Sequence, residues 1–320
     1  MTEDLHVLVS APYMIPEWSR FESIFADHGI RITIAEVEER LEEEQLLPFA
    51  GEVDGVICGD DRFSAKVLEA FAPRLKVISK WGTGIDSIDQ DAAKSLGIKV
   101  FNTPGAFTEP VSDSVMAYIL AFARGTYGLD REMKAGKWNK IPGRALHECS
   151  LGVVGVGRIG KSVIRRAKVF GMELLGTDIV EIPADFVGET GLTVVELDEL
   201  LSRADFVSLN CDLNPTSRHL MNSETFRLMK PSAILINTSR GPVIDEQALI
   251  SALEKGQIAG AALDVFEDEP LPENSPLLQM DRVLLAPHNA NSSPEAWERV
   301  HVNSIKNLFF GLGLTVPESF

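Results

Sequence analysis

The sequence predicts an α/β protein of two doubly wound, parallel-sheet domains, and three observations carry that prediction. Short β-branched apolar runs alternate with helical patterns from the N-terminus onward, which argues for parallel strands covered by helices on both faces. The alternation stops near residue 102, passes through one long apolar helix pattern and an irregular stretch, and restarts at "LGVVGVGRIG". The length of 320 residues exceeds what one ordinary core needs and suits two.

In the first stretch the strands read "LHVLVS", "IRITIA", "GVICG", "LKVISKW" and "IKVFN", with helical patterns near "WSRFESIFADHG", "SAKVLEAFA" and "DAAKSLG" between them. Thr108 to Arg124, "TEPVSDSVMAYILAFAR", reads as one mostly buried helix, and Trp138 to Cys149 as irregular chain. The second stretch offers strands in "LGVVGV", "MELLGTD", "DFVSLN", "AILINTS", "AGAALDVF" and "RVLLAP", separated by the helices "RIGKSVIRRAKVFG", "LDELLSRA", "SETFRLM" and "DEQALISALEKG". The last segment, "SPEAWERVHVNSIKNLFFGL", opens with a serine N-cap and Pro294 in the first turn. No strand follows it, so it is expected to pack back on a domain already formed.

An apolar content of 45%, 24% charged residues and a mean hydropathy of +0.04 describe a chain that folds as a globule. The formal net charge of −17 argues against nucleic acid or an anionic membrane as a partner, since both ask for a basic surface. The N-terminal "MTEDLHVLVSAP" lacks the basic flank of a signal peptide, and no apolar run approaches the roughly 18 residues of a membrane span. Cys58, Cys149 and Cys211 are few and sit in or beside apolar runs, as reduced thiols do. A cytoplasmic location is expected.

"GVVGVGRIG" supplies Gly155, Gly157 and Gly160 in G-x-G-x-x-G spacing, with Arg158 and Ile159 inside the motif. It follows an apolar strand, opens a helix, and precedes a second strand ending in Asp178, near the roughly 20-residue offset of a ribose-binding acid. The pattern predicts a Rossmann domain holding a dinucleotide pyrophosphate at a helix N-terminus. Asp178 would accept both ribose hydroxyls and repel a 2′-phosphate, and Ile179 and Val180 bring no cation, so NAD is expected rather than NADP.

Three later segments, "LINTSRGPVID", "ALDVFEDEP" and "LLAPHNA", each place a polar residue just past an apolar strand. Ligands of open α/β sheets bind at the carboxyl ends of strands, so Arg240, Glu269 and His288 can converge there. Singly, each also reads as a surface ion pair, a solvated acidic turn or a satisfied loop histidine. His6, His28, His147, His219, His288 and His301 show no ligand spacing, so no metal site is expected.

With "WGTGIDSIDQDAA", "VFNTPGAFTEPVSDSV", "GVVGVGRIG", "MKPSAILINTSRGPVIDEQALISALEKGQIAGAALDVFEDEP" and "LLAPHN" in this order, the chain resembles the D-isomer-specific 2-hydroxyacid dehydrogenases. The resemblance implies a Rossmann NAD-binding domain, 102–289, inserted into a flavodoxin-like substrate-binding domain formed by 1–101 and 290–320, with Asn102 and the helix from Thr108 marking the crossing. It implies that Arg240 binds the substrate carboxylate, that Glu269 orients His288, and that His288 is the proton donor and acceptor. It further implies that the N–H groups of Thr83 and Gly84 hold the carboxylate, and that Thr238 and Asp264 lie beside the nicotinamide. A homodimer through the Rossmann domain and the segment around Trp138 is the family expectation.

Within the family the chain looks most like the phosphoglycerate dehydrogenase branch without its regulatory extension, because Lys80 stands where that branch contacts a substrate phosphate. A glyoxylate or hydroxypyruvate reductase is the alternative, and a corepressor-type NAD(H) sensor, which shares the fold, the rival from another class. The chain departs from the family in "LNCDLNP", where Asn210 and Asp212 replace histidine and proline, in Asp113 for glutamate, and in the polar run "NANSS" after His288.

Overall fold

A computed structural model describes residues 5–317. They divide into two compact units, one within residues 5–106 and 293–317 and the other residues 107–292.

Unit 1 is built on β1 (His6–Val9), β2 (Arg31–Ile34), β3 (Gly55–Cys58), β4 (Val77–Lys80) and β5 (Lys99–Phe101). They form a 5-stranded sheet in the order β2-β1-β3-β4-β5, every pair parallel. β1, β3 and β4 are buried along their whole length, as the uninterrupted apolar runs require, while edge strand β2 is partly exposed. One face packs Leu8, Val56 and Ile78 against Phe63, Val67 and Phe71. The other is covered by the helix Pro294–Leu312, which Ser293 caps by accepting from the Ala296 N–H and which Gly313 ends with φ 74°. A Cβ at Gly55 would lie 2.7 Å from Leu308 Cδ1, so the small residue lets helix and sheet approach closely. The helix expected near "WSRFESIFADHG" is two pieces, a 3₁₀ segment Ile15–Arg20 and an α-helix Glu22–Asp27.

Unit 2 contains β6 (Ser150–Val154), β7 (Glu173–Thr177), β8 (Thr193–Val194), β9 (Phe206–Leu209), β10 (Ile234–Asn237), β11 (Gly260–Leu263) and β12 (Val283–Leu285). The 7-stranded sheet runs β12-β11-β10-β9-β6-β7-β8, again parallel throughout. Alternate residues serve opposite cores: Leu151, Val153, Ile234 and Ile236 pack with Val115, Ile119 and Val163, and Val154, Val207 and Leu235 with Leu200, Phe226 and Leu249. Both faces are buried, which is why these strands read as continuous apolar runs. The helix Thr108–Arg124 spans the predicted residues and stops at Gly125, φ 62°. β8 and the short helix Ala184–Thr190 escaped the sequence reading because neither carries enough apolar periodicity. The fold is the expected one of two doubly wound parallel sheets. No helix among the described residues is long and apolar enough to cross a membrane.

Candidate active site

β6 leads into Gly155, whose φ of 88° is the left-handed conformation that glycine tolerates. A Cβ there would meet Cys211 N at 2.6 Å, and one at Gly160 would overlap the Gly155 carbonyl. Gly157 has nothing within 4 Å of where its Cβ would stand. Two glycines therefore close the turn, and the middle one leaves room above the N-terminus of the helix Arg158–Val169, where N–H groups favour an anion.

Asp178 lies just past β7. Its Oδ2 accepts from the Val156 N–H at 2.6 Å and its Oδ1 from the Val180 N–H at 3.0 Å, so the carboxylate is held against the glycine turn. A cleft of about 770 Å³ runs between this turn, residues 178–183 and the loop Asn210–Asp212. Ile179 and Val180 are 78% and 68% exposed, an apolar shelf of the kind an adenine ring covers. Asn210 donates through Nδ2 to the Ser208 carbonyl and hydroxyl, leaving its Oδ1 buried without a partner, as is Thr238 Oγ1. Buried polar atoms are nearly always bonded, so these two are poised for a ligand. Glycine turn, held acid, apolar shelf and orphaned polar atoms together fit NAD.

At the carboxyl ends of β10, β11 and β12 the chain assembles the charged residues. Asn237, fully buried, accepts from the Ser239 N–H and hydroxyl and donates to the Arg240 carbonyl, which shapes the turn carrying Thr238 and Arg240. The Arg240 guanidinium bonds the Ser239 carbonyl at 2.9 Å. A Cβ at Gly241 would collide with the Phe266 carbonyl, so only glycine brings this turn against the loop that carries Glu269. Glu269 Oε1 accepts from the Phe266 N–H at 2.9 Å and its Oε2 faces His288 Nδ1 at 3.0 Å.

His288 has φ 49°, a conformation uncommon for a residue with a side chain. The backbone is held there by Asp264: its carbonyl accepts the His288 N–H at 2.8 Å, and its carboxylate accepts the N–H groups of Asn289 and Ala290 at 2.8 to 3.1 Å. Burial pushes the Asp264 carboxyl up from its ordinary value, against the pull of those N–H bonds. The backbone N–H groups of Asn289 and Ala290 thus wrap this carboxylate, while the polar side chains of the run have no structural explanation. Sequence reasoning missed Asn237 and the anchoring by Asp264; the only signal is a polar residue ending each apolar strand.

In unit 1, Lys80 closes β4. It is 3% exposed, and its Nζ lies 3.2 Å from Asp60 Oδ1 and 3.1 Å from the Trp81 carbonyl. The following turn has Gly82 at φ 129°. Thr83 bonds the Thr103 carbonyl through its hydroxyl and receives the Asn102 amide on its own carbonyl. The N–H groups of Thr83 and Gly84 thus belong to a turn held in place.

Residues 116–290 match the family model of the D-isomer specific 2-hydroxyacid dehydrogenase NAD binding domain. A glyoxylate reductase of Korarchaeum cryptofilum is 44% identical over 78% of this chain and 76% of its own length. A D-3-phosphoglycerate dehydrogenase of Methanocaldococcus jannaschii is 41% identical over 82% of this chain and 50% of its own. Among solved structures, a D-lactate dehydrogenase from Aquifex aeolicus complexed with NAD and lactic acid superposes with a TM-score of 0.84 at 29% identity, covering 96% of each chain. Sequence, fold and cofactor cleft agree: the chain belongs to the D-isomer-specific 2-hydroxyacid dehydrogenases, NAD-dependent enzymes that move a hydride between a 2-hydroxy acid and its 2-oxo acid.

Proposed function

We propose that His288 is the acid and base of this reaction, and the carrying observation is its Nδ1 bond to Glu269 on a backbone pinned by Asp264. With Nδ1 committed to the carboxylate, the proton moves at Nε2: to the 2-oxo oxygen in reduction, from the hydroxyl in oxidation. Glu269 holds the ring in that tautomer and favours its charged form. NAD supplies and takes the hydride. Gly155, Gly157, Arg158, Ile159 and Gly160 receive its pyrophosphate, and Asp178 its ribose, which also disfavours the 2′-phosphate of NADP. Asn210, Thr238 and Asp264 complete the cofactor contacts.

Arg240 takes the substrate carboxylate by its planar fork and polarises the carbonyl, and the turn at Thr83 and Gly84 offers N–H groups of the kind that bind a carboxylate. The domain assignment follows these roles, with 102–289 binding NAD and 1–101 with 290–320 binding substrate. Lys80 supports a phosphorylated acid, 3-phosphohydroxypyruvate, as in phosphoglycerate dehydrogenases; its ion pair with Asp60 favours the smaller glyoxylate and hydroxypyruvate.

A homodimer through unit 2 is supported by Tyr127, Met133, Trp138 and Ile141, large apolar side chains all exposed on or just after the helix Thr126–Lys134. A cytoplasmic location is supported by three unbridged cysteines. The test of the reaction is NADH oxidation by the purified protein with glyoxylate, hydroxypyruvate, pyruvate, 2-oxoglutarate and 3-phosphohydroxypyruvate. Turnover of at least one is expected, and turnover of none overturns the assignment.

A further inference from the structure

The strand order of unit 1 reverses between β1 and β3, and open parallel sheets take ligands outside the carboxyl ends of the strands at such a point. The residues leaving that end are Ser10 after β1, Asp60 and Asp61 after β3, and Lys80 with Trp81 at β4. Lys80 is the cation there, its side chain only 4% exposed and bonded to Asp60. Asp61, fully buried, receives the Ser10 hydroxyl and the Leu41 N–H, and burial pushes its carboxyl up to about 6. Around one lysine, then, stand two carboxyls, one of them in direct contact.

A buried ammonium already matched by a carboxylate offers little to a second anion. An incoming phosphate would have to displace Asp60 or sit beside it as a like charge, and both outcomes work against the anion. Such a repulsive element is how a site rejects a competitor that shares the reacting group.

We infer that Asp60 is a specificity-determining residue: by holding the Lys80 ammonium it makes the enzyme prefer 2-oxo acids with an uncharged tail over those with a phosphate or second carboxylate. This rests on the reaction proposed above. Its converse is a gain of function, because removing the Asp60 charge takes away the one carboxylate in direct contact with the Lys80 ammonium.

The experiment compares kcat/KM for 3-phosphohydroxypyruvate against hydroxypyruvate, and for 2-oxoglutarate against pyruvate, in the wild type, Asp60→Asn, Asp60→Glu and the double variant Asp60→Asn with Lys80→Met. The wild type should favour the monoanionic member of each pair, Asp60→Asn should raise the ratio for the more charged over the monoanionic acid about tenfold or more, and Asp60→Glu should keep the wild-type ratio. Adding Lys80→Met should cancel the gain. A ratio unmoved by Asp60→Asn, or a wild type that prefers the phosphorylated acid, overturns the inference. The rise in Tm that each acid produces in the presence of NAD reads binding without turnover. A protein that turns over none of these acids therefore sinks the reaction, while the Tm shifts of Asp60→Asn still decide the role of the pair.

Discussion

Unit 2 holds two histidines in left-handed backbone, His219 at φ 50° and His288 at φ 49°, and each is bonded to a glutamate. His219 meets Glu267 through Nε2 at 2.6 Å; His288 meets Glu269 through Nδ1 at 3.0 Å. By distance the first pair is the tighter, yet the second stands at the carboxyl end of β12. The His219 and Glu267 side chains are 42% and 31% exposed, those of His288 and Glu269 19% and 16%. The backbone at His288 is tied to Asp264 on β11's end, whereas the His219 N–H bonds the Pro242 carbonyl and its own carbonyl takes the Asn222 amide, which caps the helix Ser223–Leu228. A histidine–acid pair is thus common chemistry; its usefulness depends on which nitrogen is committed and which strand end carries it.

The comparison breaks most sharply by truncating each ring. His288→Ala should lower kcat by about a thousandfold or more, since general acid–base catalysis contributes roughly 10²–10⁴, while NADH binding followed by fluorescence stays within about threefold. His219→Ala should change kcat less than about threefold. Comparable losses in the two variants would remove the distinction between the pairs.

A subtler probe is Glu269→Gln, which keeps the shape and removes the charge. Reduction needs a proton on the ring, and Glu269 Oε2 faces His288 Nδ1. The variant should lose about 10- to 100-fold in kcat. Glu267→Gln should change kcat less than about threefold.

The smallest effect concerns stability. Glu246, whose N–H and carboxyl exchange bonds with Glu267, has its carboxyl raised by burial and by that neighbouring charge. Between the ordinary value and the raised one the folded protein binds more protons than the unfolded chain, so stability falls as pH rises through that window. Glu246→Gln should raise Tm at pH 7 by about 1 °C and change it little near pH 4. A gain of equal size at both values would show that the charge is not its source.

What the sequence spells locally is what it makes legible. The glycine turn can be read because its demands fall on the backbone of a few consecutive residues, and Gly155 and Gly160 indeed stand where a Cβ would collide. The buried strands are legible because both faces ask for apolar side chains. Asp60 and Lys80 form a pair across neighbouring strands β3 and β4, registered Cys58 to Lys80, and nothing near "ISKW" distinguishes a matched lysine from a solvated one. Asp264 reads as a cofactor contact, whereas its hold on residues 288–290 needs β11 and β12 to be adjacent first. Likewise, "TSRHL" is ordinary loop chemistry until Glu267, 48 positions away, is folded against His219.

The helix Pro294–Leu312 belongs to the same unit as β1–β5, and this sets an order of events during synthesis. The five strands leave the ribosome first, yet the face of β3 and β4 that this helix covers has no partner until the 186 residues of 107–292 have been made. At roughly 5–20 residues per second that interval is about 10 to 40 seconds. Unit 2, a continuous segment, can therefore close its core before unit 1, whose sheet around Gly55 and Val77 waits for this helix.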